Sequence, residues 1–144
     1  MSKNFLDLEQ AKAILEKEQA TCAFVKGEDV SFSTERGVTP LLKLLQADKS
    51  LAGYSAADKV VGKAAAFLYV ILKVERVYAK VISQYALSVL RNYHVEVEYG
   101  ELVDAIRNRT NTGFCPMETA VLSINVPEEA LAAIQKKQEE LRRG

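Results

Sequence analysis

Between Leu6 and Ala20 the apolar residues Leu6, Leu8, Ala11, Ile14 and Leu15 fall on one side of a 3.6-residue period. Glu and Lys fill the other side, which predicts an amphipathic helix. The pattern then changes. Thr21 to Val25 and Val30 to Ser33 are two β-rich runs flanking Lys26-Gly27-Glu28-Asp29, residues with turn chemistry, so a hairpin is expected. Thr39-Pro40 opens a short helix through Leu45, with Pro40 at a tolerated first-turn position. Ser55-Ala56-Ala57-Asp58 has the form of a capping box. It is expected to start one long helix, "ADKVVGKAAAFLYVILK". Val60, Ala64, Phe67 and Ile71 make one apolar row of that helix, and Val61, Ala65, Leu68 and Leu72 the next. Two adjacent rows imply burial on more than one side.

Arg76 to Ser83 is rich in Val, Tyr and Ile and reads as a largely buried strand. "QYALSVLRNY" is a helix with Ser83 as its candidate cap, and "HVEVEYG" alternates as a strand. "ELVDAIRN" reads as a short helix or turn. Cys115 to Leu122 is a helix with Pro116 in its first turn. "PEEALAAIQKKQEELRRG" is a terminal helix whose acids come early and bases late, the order that suits the helix dipole. A hairpin followed by strand–helix–strand predicts an α/β fold with a mixed sheet. Its hairpin is antiparallel, its later strands parallel, and helices cover both faces. Ligands of such sheets sit beyond the carboxyl ends of the parallel strands, where Ser83 and the segment after Tyr99 fall.

Composition narrows the partners. The 144 residues suit a single domain, 1–144. Lys+Arg and Asp+Glu are both 19, which argues against a whole-surface nucleic-acid binder but leaves a local basic pocket open. Met1-Ser2-Lys3-Asn4 leads into a charged amphipathic segment, so no signal peptide is expected. The low-charge stretch Ala64 to Leu72 is too short to span a bilayer, and no membrane partner is expected. Cys22 and Cys115 form no CxxC, and the default setting is the reducing cytoplasm.

The order of elements, with a strand ending in "EYG", resembles the three-layer cytidine-deaminase-like fold. More closely, "ERGVTPLL", "ADKVVGKAAA", "YAKVIS" and "NRTNTGFCPME" resemble an uncharacterised bacterial family with that fold, a domain of unknown function. These stretches are spread over most of the chain from Cys22 to Glu118. The resemblance implies the fold, and it implies where zinc ligands would stand in a working deaminase. Such enzymes carry a His or Cys ligand and a Glu on one helix and P-C-x-x-C on the next. Here the corresponding stretches read "GKAAA" and "SQYALS", and the lone histidine, His94, starts a strand. "CPME" adds one thiolate and one carboxylate later in the chain, which cannot assemble four-coordinate zinc. No metal and no cofactor is therefore expected. RNA metabolism is a second function that relatives of the fold suggest.

Within this frame the candidate ligand-binding residues are Asp58, Lys59, Lys63, Ser83, Gln84, Asn108, Arg109, Thr110, Thr112 and Gly113. Lys59 and Lys63 are expected at i and i+4 on one helix, a like-charge pair that a bound anion would relieve. Asp58 has capping as its ordinary role. Asn108 to Gly113 join an arginine fork, neutral donors and a permissive glycine ahead of a helix start. A plain surface loop capping a helix has the same composition. Ser83 and Gln84 stand where deaminases carry a zinc cysteine, although Ser83 also serves as a cap. Cys115 and Glu118 are the candidate catalytic pair, weighed against a small buried hydrophobe and a helix cap.

Three readings follow. One is a binder, or an enzyme without zinc, for a nucleotide or other anionic, phosphate-bearing small molecule. The alternative is an RNA-binding module. The third is a thiol enzyme using Cys115. Whether the chain is an enzyme, and whether it forms a homodimer, are left open by the sequence.

Overall fold

The computed structural model describes residues 3–107 and 115–143. Along the chain run α1 (Lys3–Lys17), β1 (Cys22–Lys26), β2 (Asp29–Ser33), α2 (Thr39–Gln46), β3 (Ser55–Val61), α3 (Lys63–Leu72), β4 (Arg76–Ser83), α4 (Gln84–Asn92), β5 (Glu96–Val103), α5 (Pro116–Val121) and α6 (Pro127–Arg143). The strands form a five-stranded sheet in the order β2-β1-β3-β4-β5. β1 is antiparallel to both β2 and β3, while β3, β4 and β5 are parallel. The expected mixed sheet is present, with an antiparallel hairpin and parallel later strands.

The expected long helix is corrected. Ser55 to Val61 is the central strand β3, and the helix begins only at Lys63. Ser55-Ala56-Ala57-Asp58 is thus no capping box, and Lys59 and Lys63 are not a helical pair. The physical reason lies in the sandwiching of β3. Ala56 belongs to the large core on one face and Ala57 to the smaller core on the other. Successive strand residues point to opposite faces, so Ala56 and Ala57 are buried on the two sides of the sheet, and tertiary packing rather than strand propensity fixes this alanine-rich run as a strand. The run itself has helix-like propensity. A second correction concerns Glu101 to Val103, expected as helix or turn, which instead continue β5 beside Val81, Ile82 and Ser83 of β4.

Among the described residues, α1 is the helix that packs on one face, against β1, β3 and β4. Its core is small: Ala11, Leu15, Ala20, Ala23, Val25 and Ala57, with Ile14 and Tyr78 at the edge. On the other face α3 and α4 lie side by side, and α5 and α6 pack over α3. α3 is consequently enclosed, with Lys63 to Tyr69 all buried. Phe67, Leu68, Leu72, Val77, Ile82, Leu90 and Ile134 fill the larger core. Full burial of such side chains contributes about 1.5–3 kcal/mol each, so this face carries most of the hydrophobic stabilisation. The carboxyl ends of β3 and β4 lead directly into α3 and α4, and this end of the sheet carries the candidate site.

Candidate functional site

Three segments meet beyond the end of β3: the link from β2 into α2, the start of α3, and the approach to α5. A pocket of about 360 Å³ lies between them. Cys22, Val38, Leu41, Ala64 and Met117 line its buried part, and Ala65, Pro40, Ile106 and Cys115 extend the wall. Arg36, Lys59 and Arg107 border it and are exposed. Asp58 and Glu118 are its carboxylates.

Glu118 is the structural keystone. It is buried, at 6% exposure, and accepts hydrogen bonds from the backbone N–H groups of Lys63 (2.8 Å) and Ala64 (3.0 Å). These are two of the four N–H groups that a helix start leaves without partners. Glu118 therefore caps α3, a helix 55 residues earlier in the chain, rather than its own α5. Gly62, the residue before α3, makes room for it. A Cβ there would stand 2.5 Å from the Glu118 carboxylate. The close neighbour of Gly62 is thus a carboxylate rather than an apolar side chain.

Lys63 is buried beside this cap and turns away from the pocket. Its Nζ donates to the Leu122 carbonyl at 2.8 Å and lies 5.8 Å from the centre of the Phe67 ring. Burial lowers its pKa, and the Glu118 charge works against that fall. The expected convergence of Lys59 and Lys63 on one anion is corrected: Lys63 binds the end of α5, while Lys59 is exposed on β3. Strand alternation also directs Lys59 away from Asp58.

Asp58 sits directly across from Cys22 in the β1–β3 pair. The Tyr69 hydroxyl donates to Oδ2 at 2.7 Å, and the Val60 N–H donates to Oδ1 at 3.3 Å. Desolvation pushes the Asp58 carboxyl up to about 7, against the pull of these hydrogen bonds. Burial likewise pushes the Cys22 thiol up, with the Asp58 charge adding to it. Tyr69, wholly buried, is raised well above the usual phenol for the same reasons. At neutral pH Cys22 is thus a neutral thiol, a wall of the pocket rather than a nucleophile.

Of the other expected site residues, Ser83 is fully buried and its Oγ accepts from the Ala86 N–H at 3.1 Å, the capping role. Gln84 is exposed at the first turn of α4, and neither residue lines the pocket. Cys115 is partly buried on the pocket wall, and its N–H is committed to the Ile106 carbonyl at 3.0 Å. Asn108, Arg109, Thr110, Thr112 and Gly113 lie outside the described residues. Tyr69 escaped sequence reasoning. The available signal was a single tyrosine within an otherwise apolar helix, whose hydroxyl needs a buried partner.

The match to known proteins is now decisive. The profile of the family described as domain of unknown function DUF1893 matches residues 10–138. The chain belongs to that family. A solved structure of a DUF1893 family protein from Thermotoga maritima is 31% identical, covers 95% of this chain and 92% of its own, and superposes with a TM-score of 0.86. Two deaminases are more distant. A dCMP deaminase from the cyanophage S-TIM5 is 16% identical over 69% of this chain and 99% of its own, with a TM-score of 0.45. A diaminohydroxyphosphoribosylaminopyrimidine deaminase/5-amino-6-(5-phosphoribosylamino)uracil reductase from Thermotoga maritima is 11% identical over 66% of this chain and 35% of its own, at 0.43. None of the curated proteins matches the sequence.

The metal centre of zinc deaminases can be tested against this DUF1893 chain. Gly62-Lys63-Ala64-Ala65 at the start of α3 and Ser83-Gln84-Tyr85-Ala86 at the start of α4 offer neither imidazole nor thiolate. Glu118, the carboxylate nearest the α3 start, spends both oxygens on backbone N–H groups. Among the described residues no group of three His, Cys, Asp or Glu side chains stands close enough to hold a metal ion. These residues do not fit a zinc centre. Among the same residues, no helix is long and apolar enough to cross a membrane.

Proposed function

We propose that this DUF1893 protein binds a nucleotide or similar phosphate-bearing small molecule in the β3–α3 pocket, in the cytoplasm and without catalytic zinc. One observation carries this reading: a cavity of about 360 Å³ with an apolar interior, exposed cationic side chains at its border and a carboxylate within. Ligand pockets range from about 300 to 1,000 Å³ and combine apolar walls with a few placed polar groups. The buried wall of Val38, Leu41, Ala64 and Met117 suits a flat ring, and the exposed Arg36 guanidinium at the border suits a phosphate. Arg36 has no ion-pair partner among the described residues.

Calorimetric titration with nucleoside monophosphates and inorganic phosphate tests the proposal. Binding should be micromolar to millimolar and should weaken about tenfold on Arg36→Ala, the loss of one charge-assisted hydrogen bond. A salt series separates the RNA reading, since an oligonucleotide contacting several phosphates loses affinity steeply with salt. Tight, salt-sensitive RNA binding without mononucleotide binding would replace the proposal.

A further inference from the structure

The polar groups bordering the pocket are not equivalent. Glu118 is committed to α3 through both oxygens. The Thr21 hydroxyl donates to the carbonyls of Ser33 and Glu35. Arg36 and Lys59 are exposed. Among the described residues, Asp58 is the polar group that stands partly buried among the apolar wall with acceptor capacity to spare. An ionised carboxylate offers about four acceptor sites. Tyr69 and the Val60 N–H occupy one on each oxygen, and backbone at Lys59 adds a weaker hold.

These contacts also fix the carboxylate in place. Tyr69 is immobilised in the core, and β3 is central in the sheet, so the acceptor pair is held before any ligand arrives. A preformed acceptor pair in a partly desolvated wall selects for donors. Leaving it unmatched against a bound ring costs affinity, whereas two parallel N–H donors satisfy both oxygens. Desolvation raises Asp58, and such donors act against it by stabilising the charged carboxylate.

We infer that Asp58, positioned by Tyr69, determines the specificity of this pocket by accepting two adjacent N–H donors on a heterocyclic ring, an amide N–H flanked by an amino group, as on the guanine edge. This rests on the pocket reading above for where the ligand lies, and its ring contact is separable from the phosphate contact. Hypoxanthine, which lacks the amino group, offers one of the two donors.

The test uses GMP and IMP as nucleotide probes, and isocytosine and uracil as ring probes without phosphate, titrated into the full chain and its Asp58→Asn and Tyr69→Phe variants. GMP should bind at least about tenfold more tightly than IMP. The preference should collapse toward unity in Asp58→Asn and shrink in Tyr69→Phe. A thermal melt confirms that each variant is folded. Isocytosine should outbind uracil and shift the Asp58 carboxyl ¹³C resonance. If GMP and IMP bind equally, or if the preference survives Asp58→Asn, the inference is overturned while the phosphate reading stands. If isocytosine binds through Asp58 but no nucleotide binds, the phosphate reading falls and the inference holds. If no probe binds, both fall.

Discussion

The chain makes the turn from parallel strand to helix twice in succession and completes it by different means. At the β4–α4 junction, Ser83 ends the strand and its own hydroxyl caps the helix through the Ala86 N–H. At the β3–α3 junction, Gly62 has no side chain to offer, and Glu118 supplies the cap from across the chain. The first solution is local and leaves the end of the strand closed. The second leaves room at Gly62 that the Glu118 carboxylate fills, which brings α5 over the turn, and the pocket lies beside this contact.

Removing the borrowed cap should have the largest effect. Glu118→Ala leaves two buried N–H groups without acceptors and Lys63 without its nearby charge. It is expected to cost about 3 kcal/mol in chemical denaturation. A loss below about 1 kcal/mol would mean that water or a shifted α5 replaces the cap. Gly62→Ala is expected to cost about 2 kcal/mol by pushing the carboxylate off α3, although the φ of −96° is open to any residue. The double variant separates this from simple crowding: once Glu118 is alanine, the Gly62 substitution should cost far less.

Asp58→Asn should act in the opposite direction. The folded carboxyl sits at about 7, above its unfolded value near 3.9, so its favourable contribution is complete below pH about 4 and is lost as pH rises toward and past 7. Cys22 from β1 and Tyr69 from α3 face it, and both stay protonated through this window. The variant should therefore be more stable than wild type at pH 8, by about 1–2 kcal/mol, because water on the pocket side screens part of the linkage. Its stability should also fall less between pH 4 and 7. Parallel pH profiles for the two proteins would argue against a desolvated Asp58. The smallest change is expected at the self-capped helix, where Ser83→Ala should cost about 1 kcal/mol, with no effect on ligand affinity. A loss equal to that of Glu118→Ala would erase the distinction between the two junctions.

The same contrast explains what was legible beforehand. β4, α4 and the Ser83 cap could be read because their signals are local: a Val- and Ile-rich run, then a serine, then an amphipathic period. β3 was missed because Ala56 and Ala57 answer to helices packed on both faces, a tertiary demand that overrides propensity. Glu118 was recognised as a cap but assigned to its own helix, since nothing near Lys63 in sequence names a partner 55 residues away. Lys63 appeared as half of a cationic pair only because β3 was read as helix. Asp58 was singled out, yet Tyr69, which fixes it, lies eleven residues on and takes its meaning from the turn between strand and helix.

The long reach of Glu118 also orders events in time. During folding, the first turn of α3 can form only as a frayed end until α5 docks, because its cap arrives with the later part of the chain. In the native protein the same dependence runs backwards. A local opening that lifts α5 away exposes the amides of Lys63 and Ala64 to solvent exchange, and it removes Met117 and Cys115 from the pocket wall in the same movement. Those two amide protons are thus built-in reporters: their exchange rate counts how often the wall of the cavity comes away.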